Sequence, residues 1–159
     1  MNAEKFKSEF LSFFDDEFEK ADFDYIENDV EIVNPKNITA CISKIMELIA
    51  IQNNLKLRKE FLNLDYAFFE QKSMLMTIAV EHENYINRRK RNFKKLINTA
   101  AKLKVLICYF DEKEEDADKI LDYYQRKYKE LYPNTSDKFL MILGKIGFEN
   151  SQDYKIRIF

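Results

Sequence analysis

The sequence predicts an α/β fold: a central mixed β-sheet, an antiparallel hairpin plus a parallel crossover strand, flanked by helices. Three observations carry this. Apolar residues alternate over 60–69 and 74–83, a continuous apolar run covers 104–110, and segments of helical period precede and separate them. A hairpin followed by a helix and a buried strand requires a crossover, which makes the last pair parallel. Composition agrees. Of 159 residues 46% are hydrophobic, including 14 Phe and 9 Tyr, which excludes a disordered chain. With only 2 Gly and 2 Pro, a turn-dense β-sandwich is also excluded. The length predicts a single domain over 1–159, with 1–36 an N-terminal helical extension packed on the core.

The elements follow in order. Phe6, Phe10, Phe13, Phe14 and Phe18 recur at helical spacing over 2–20, an aromatic stripe assigned to core packing. Residues 22–36 are acidic and irregular, with a short strand at Val30-Glu31-Ile32-Val33 that Pro35 ends. Asn37 reads as the N-cap of a second helix that turns Ile38, Cys41, Ile42, Ile45, Leu48 and Ile49 to one side. The period then becomes two. Leu62, Leu64, Tyr66 and Phe68 share one strand face against Asn63, Asp65 and Ala67. After the polar break Glu70-Gln71-Lys72-Ser73, Met74, Met76, Ile78, Val80 and His82 oppose Leu75, Thr77, Ala79, Glu81 and Glu83. A basic helix is expected over 85–101, with Asn84 as its cap. Lys104–Phe110 has the continuous apolar character of a strand covered on both faces. A helix over 114–131 follows, with Ala117, Ile120, Leu121, Tyr124, Tyr128 and Leu131 at core spacing, and Pro133 closes it. Short strands are expected at 139–143 and 154–159.

Function classes narrow quickly. Cys41 and Cys108 lie in apolar runs outside any CxxC pattern, and His82 is the single histidine, so a zinc finger is excluded. Two buried thiols fit a reduced compartment. No stretch reaches the ~20 apolar residues of a membrane span, and the charged N-terminus does not read as a signal peptide. A cytoplasmic protein without a membrane partner is expected. The 26 basic and 28 acidic residues leave a net charge of −2, so any nucleic-acid surface must be a local patch.

The chemistry concentrates between Glu60 and Phe110. Asp65 interrupts an apolar strand, and Glu81 and Glu83 project from one face of the next. Like charges on a half-buried strand need a cation. Two registers make the apolar faces of the hairpin coincide: one sets Asp65 opposite Glu81, the other opposite Ala79. Either brings Asp65 and Glu81 to one face, and such hard oxygen ligands suit Mg²⁺ or Mn²⁺. His82 points the opposite way and is assigned to the core side. Glu47 falls with Ser43 and Lys44, away from the apolar face, and is left out of the site. Arg88-Arg89-Lys90-Arg91, continued by Lys94 and Lys95, is the densest basic run and starts five residues after Glu83.

An Asp in one strand of a hairpin followed by Glu-x-Lys in the next resembles the PD-(D/E)XK nuclease superfamily, the restriction-endonuclease-like fold. The match is Leu64-Asp65 and Val80-Glu81-His82-Glu83-Asn84, with Phe93-Lys94-Lys95-Leu96 and Leu103–Ile107 in the following helix and strand. It covers roughly residues 38–132. Leu64 replaces the usual Pro, and Glu83 replaces the usual Lys. The resemblance implies metal-dependent hydrolysis of nucleic acid, DNA before RNA, with Asp65 and Glu81 as Mg²⁺ or Mn²⁺ ligands and Glu83 positioning or deprotonating the attacking water. Arg88, Arg89, Arg91 and Lys95 are then the expected phosphate contacts, and a homodimer is compatible with it. A carboxylate at 83 cannot supply the charge of an ammonium. The alternative is therefore an inactive nuclease-like module that binds nucleic acid or a protein partner.

Overall fold

Asn2 opens the first helix: its Oδ1 accepts the Lys5 N–H at 2.9 Å, and α1 runs over Ala3–Glu19. The computed structural model describes residues 1–20, 26–27, 30–31, 35–146 and 150–159. A two-residue pair, β1 (Ile26–Glu27) and β2 (Val30–Glu31), precedes α2 (Pro35–Gln52). The expected strand over 30–33 is thus present at Val30–Glu31, and its second half lies outside the described residues. The second helix starts at Pro35, so Asn37 lies inside it and is not its cap; proline at the helix start loses no hydrogen bond.

Six strands then form one sheet, β3 (Leu55–Phe61), β4 (Leu64–Glu70), β5 (Met76–Glu83), β6 (Leu103–Phe110), β7 (Lys138–Lys145) and β8 (Tyr154–Ile158), in that spatial order. β3–β4, β4–β5 and β7–β8 are antiparallel, while β5–β6 and β6–β7 are parallel. The mixed α/β sheet and its parallel crossover strand match expectation. The hairpin is longer by one strand. What reads as a strand over 60–69 is a turn at Leu62 and Asn63 (φ 52° and 64°) between β3 and β4. Both residues have positive φ, the geometry of a tight primed turn, although neither is glycine. Leu62 is consequently 73% exposed and does not share a face with Tyr66. Between β4 and β5, Tyr66 pairs with Val80 and Ala67 with Ala79, the first of the two registers.

Two helical layers cover the sheet. On one face, Phe6, Phe10, Phe14 and Phe18 of α1 and Ile42, Ile45, Met46 and Ile49 of α2 pack on Phe68, Ile78, Val80, Val105, Ile107, Leu140 and Ile142. The N-terminal helix is therefore half of a core layer. Phe13, placed on the same stripe by spacing, is only partly buried. On the other face, α3 (Arg89–Ile97) and α4 (Ala117–Leu131) cover Leu64, Ala67, Phe69, Ala79, Leu106, Cys108, Phe139 and Met141. Asp116 caps α4, accepting from the Asp118 and Lys119 N–H groups. Leu131, expected in the core, ends that helix 56% exposed. Every residue of β6 is buried, as its apolar run requires. Gly144 is needed for space: a Cβ there would sit 2.8 Å from the Tyr109 ring and 2.7 Å from that of Tyr154. Cys41 and Cys108 are buried free thiols, and burial pushes both up to about 12. No helix among the described residues is long and apolar enough to cross a membrane.

Candidate functional site

The register of β4 and β5 brings Asp65 and Glu81 together on the face covered by α3. Each carboxyl group bonds to backbone at or beside the other. Asp65 Oδ2 accepts the His82 N–H at 2.8 Å, and Glu81 Oε1 accepts the Asp65 N–H at 3.3 Å. Lys95 of α3 sets its ammonium 2.7 Å from Glu81 Oε2 and also donates to the Asn63 carbonyl in the β3–β4 turn. Asp65 Oδ1 has no partner among the described residues.

Burial dominates the electrostatics. Glu81 is 1% exposed, and loss of solvent pushes its carboxyl up to about 7, against the pull of the Lys95 hydrogen bond and with Asp65 adding repulsion. Asp65 is also raised by burial, with the His82 N–H and Lys95 opposing. Two carboxyl groups therefore compete for one ammonium. This donor set fits a hard divalent cation of the Mg²⁺ kind, which keeps several waters and needs only one or two carboxylates beside a substrate phosphate. Among the described residues there is no group of three or more His, Cys, Asp or Glu side chains able to hold a metal.

Glu83 takes a different part from the one expected. It is buried, its Oε1 accepts the Tyr85 N–H at 2.9 Å, and its Oε2 accepts from Asn92 Nδ2 at 2.9 Å. Each oxygen thus accepts one bond within the β5–α3 connection and keeps a lone pair. Asn84 also departs from expectation: its amide donates to Thr39 Oγ1 of α2 at 3.1 Å, and it caps no helix. The expected basic helix over 85–101 is a 3-10 turn, Ile86–Arg88, followed by α3. His82 lies on the α1–α2 face, with Nε2 2.9 Å from Tyr109 Oη, and burial lowers it to about 4. Glu47 is ion-paired with Lys59 at 2.7 Å and Lys44 at 3.8 Å.

The four expected phosphate contacts divide. Arg88 and Arg91 are exposed, Arg88 with its guanidinium 4.6 Å from the centroid of the Tyr85 ring. Lys95 belongs to the acid pair. Arg89 turns inward, is 6% exposed, and forms an ion pair with Glu115, so it is not on the basic face. Periodicity contains the reason: Arg89, Asn92, Phe93 and Leu96 occupy i, i+3, i+4 and i+7, the inward stripe of α3, and all four are buried. Assigning four residues of that run to phosphate contacts does not anticipate Asn92 as the partner of Glu83 or Lys95 as the cation on Glu81. Comparison with protein-family models finds no match, and comparison with curated proteins finds no significant one.

Proposed function

We propose that the protein hydrolyses phosphodiester bonds in nucleic acid, DNA before RNA, with Mg²⁺ or Mn²⁺ held by Asp65 and Glu81. The observation that carries the reading is the reciprocal bonding of these two carboxyl groups across β4 and β5, with Lys95 beside them. A restriction-endonuclease-like frame is supported by the succession of α2, the β4–β5 hairpin, α3 and the parallel strand β6.

Bound there, the cation would supply Lewis-acid polarisation of the phosphate and a water of lowered pKa. The chain's own residues do the rest. Asp65 is oriented by the His82 N–H, which bonds one oxygen. Lys95 brings to the site the positive charge that residue 83 lacks, from a helix instead of the strand. Glu83 acts as a positioning residue: through Asn92 it fixes α3, and with it the height of Lys95 above the sheet.

The test is cleavage of a labelled DNA duplex and strand with Mn²⁺. Asp65→Asn and Glu81→Gln should each remove cleavage, and each should remove the metal-induced rise in melting temperature that wild type shows. Glu83→Gln should fold less well yet retain cleavage per folded molecule. A melting temperature indifferent to millimolar Mn²⁺, together with no cleavage, would sink the proposal. The contact between Lys95 and Glu81 favours a second reading, a binding module whose acids are neutralised internally. It expects retained binding of nucleic acid and no cleavage in any metal.

A further inference from the structure

A second feature lies at the carboxyl ends of β5 and β6, where the β5–α3 and β6–α4 connections meet. They enclose an open groove of about 490 Å³ whose lining includes Ile86, Lys90, Ile120, Tyr123 and Tyr124, and not Asp65 or Glu81. The volume suits one nucleotide-sized group. One aromatic–cation pair, Lys90 and Tyr123, lines it, and a second, Arg88 and Tyr85, stands outside the lining and next to it in sequence. Arg88 lies over Tyr85, whose ring is 60% exposed, and the Lys90 ammonium lies 5.9 Å from the centroid of Tyr123, which is 36% exposed.

Charge decides what fits. The acids of the groove each have a cationic neighbour: Glu115 pairs with Arg89 through Oε1, while its Oε2 is buried without a hydrogen-bond partner, and Asp116 caps α4 and pairs with Lys119 at 3.5 Å. The outward residues Arg88, Lys90, Arg91 and Lys94 have no carboxylate partner among the described residues, although the chain as a whole carries a net charge of −2. A local cationic strip on an acidic protein is complementary to a polyanion. Exposed tyrosine faces add a requirement that duplex DNA does not meet, because its base faces are stacked inside the helix. An unpaired strand offers both phosphates for the cations and free base faces for the rings.

We infer that this surface binds single-stranded nucleic acid, with Tyr85 and Tyr123 as stacking platforms and Arg88, Lys90 and Arg91 on the backbone. The inference builds on the reading of nucleic acid as the ligand and makes the unpaired strand its preferred form. It is tested with the full-length protein in a metal chelator, so that binding is read without cleavage. The probes are a fluorescein-labelled DNA strand of about 12 nucleotides and the duplex of the same sequence, followed by anisotropy.

The strand should bind at least about tenfold more tightly than the duplex. Tyr85→Ala and Tyr123→Leu should each weaken strand binding at least about fivefold, the low end of one lost base stack, and leave duplex binding unchanged. Arg88→Gln, at an exposed position, should reduce the salt slope by about 0.7. Equal affinity for the two probes, or tyrosine variants that bind like wild type, would overturn the inference. So would no binding to either. Cleavage with Mn²⁺ is scored separately: cleavage confined to duplex removes this inference and leaves hydrolysis standing. Tyrosine-dependent strand binding without cleavage does the opposite.

Discussion

The two faces of the sheet are built from different chemistry. Against the α1–α2 face the helices set phenylalanines and aliphatic side chains, with ring pairs such as Phe10–Phe14 at 5.9 Å and Phe14–Tyr154 at 4.9 Å. Its polar contacts include the neutral His82–Tyr109 bond and a buried carboxylate, Glu9, that accepts from Asn53 at 2.6 Å. Against the α3–α4 face the apolar packing is crossed by a polar seam: Lys95 on Glu81, Asn92 on Glu83, Arg89 on Glu115 and Lys104 on Asp137. Apolar burial is non-directional and tolerates repacking, whereas a buried charge is stable only beside its partner. The α1–α2 face is thus the more apolar, with Glu9 its buried carboxylate, and the α3–α4 face holds more of the buried ionisable groups.

The largest expected effect lies on the apolar face. Phe14→Ala removes a fully buried ring that stacks on Phe10 and Phe18, and should cost about 3–5 kcal/mol in urea unfolding. Nucleic-acid binding per folded molecule should not change. A cost below about 1 kcal/mol would mean that the stripe is not the anchor of that layer.

The next effect uses pH, because the two faces titrate in opposite senses. Glu81, raised from 4.5 to about 7, holds its proton longer when folded, so its share of stability is present below 4.5 and lost as pH rises to about 7. His82, lowered from 6.5 to about 4, is neutral when folded, so its share is present above 6.5 and lost as pH falls to about 4. Between 4.5 and 6.5 the two slopes oppose each other. Glu81→Gln should expose the histidine slope, with stability rising with pH over that window, and should melt higher than wild type at pH 8. His82→Gln should show the opposite slope. Parallel profiles for the two variants would refute the assignment of the groups to opposed environments.

Smaller effects probe the seam and its outer side. Asn92→Leu leaves Glu83 Oε2 without its donor and should cost about 1–3 kcal/mol, measured by thermal or urea unfolding. Arg91→Gln should change stability by less than about 0.5 kcal/mol. It should nevertheless flatten the dependence of nucleic-acid affinity on salt by nearly one unit on a log–log plot. An unfolding cost larger than that of Asn92→Leu would place Arg91 in the packed layer.

Legibility in the sequence divides along the same line. The α1 stripe and the buried β6 run are readable because each needs only a period, and the coincidence of apolar faces narrows the β4–β5 pairing to two registers, between which the structure chooses. Either register places Asp65 and Glu81 on one face. β3 was not readable: Leu55-Lys56-Leu57-Arg58-Lys59-Glu60-Phe61 is too charged to stand out, and the Leu62-Asn63 turn lacks glycine. The inward stripe of α3 was present as a spacing, but Arg89 looked like its basic neighbours. Which cation a buried carboxylate takes depends on how a helix sits over a strand, and residue type alone does not encode that.

The charged edge strand has a consequence for the molecule among its neighbours. β3 closes one side of the sheet, with Leu55 and Leu57 packed toward the core and Lys56, Lys59 and Glu60 exposed. An outermost strand presents unpaired N–H and C=O groups that could template another chain. To pair there, a second copy would have to bring the same lysines alongside these and strip their water. Lys59 is held by Glu47, whereas Lys56 has no carboxylate partner among the described residues, so replacing Lys56 with threonine should weaken repulsion between two such edges and raise aggregation on concentration.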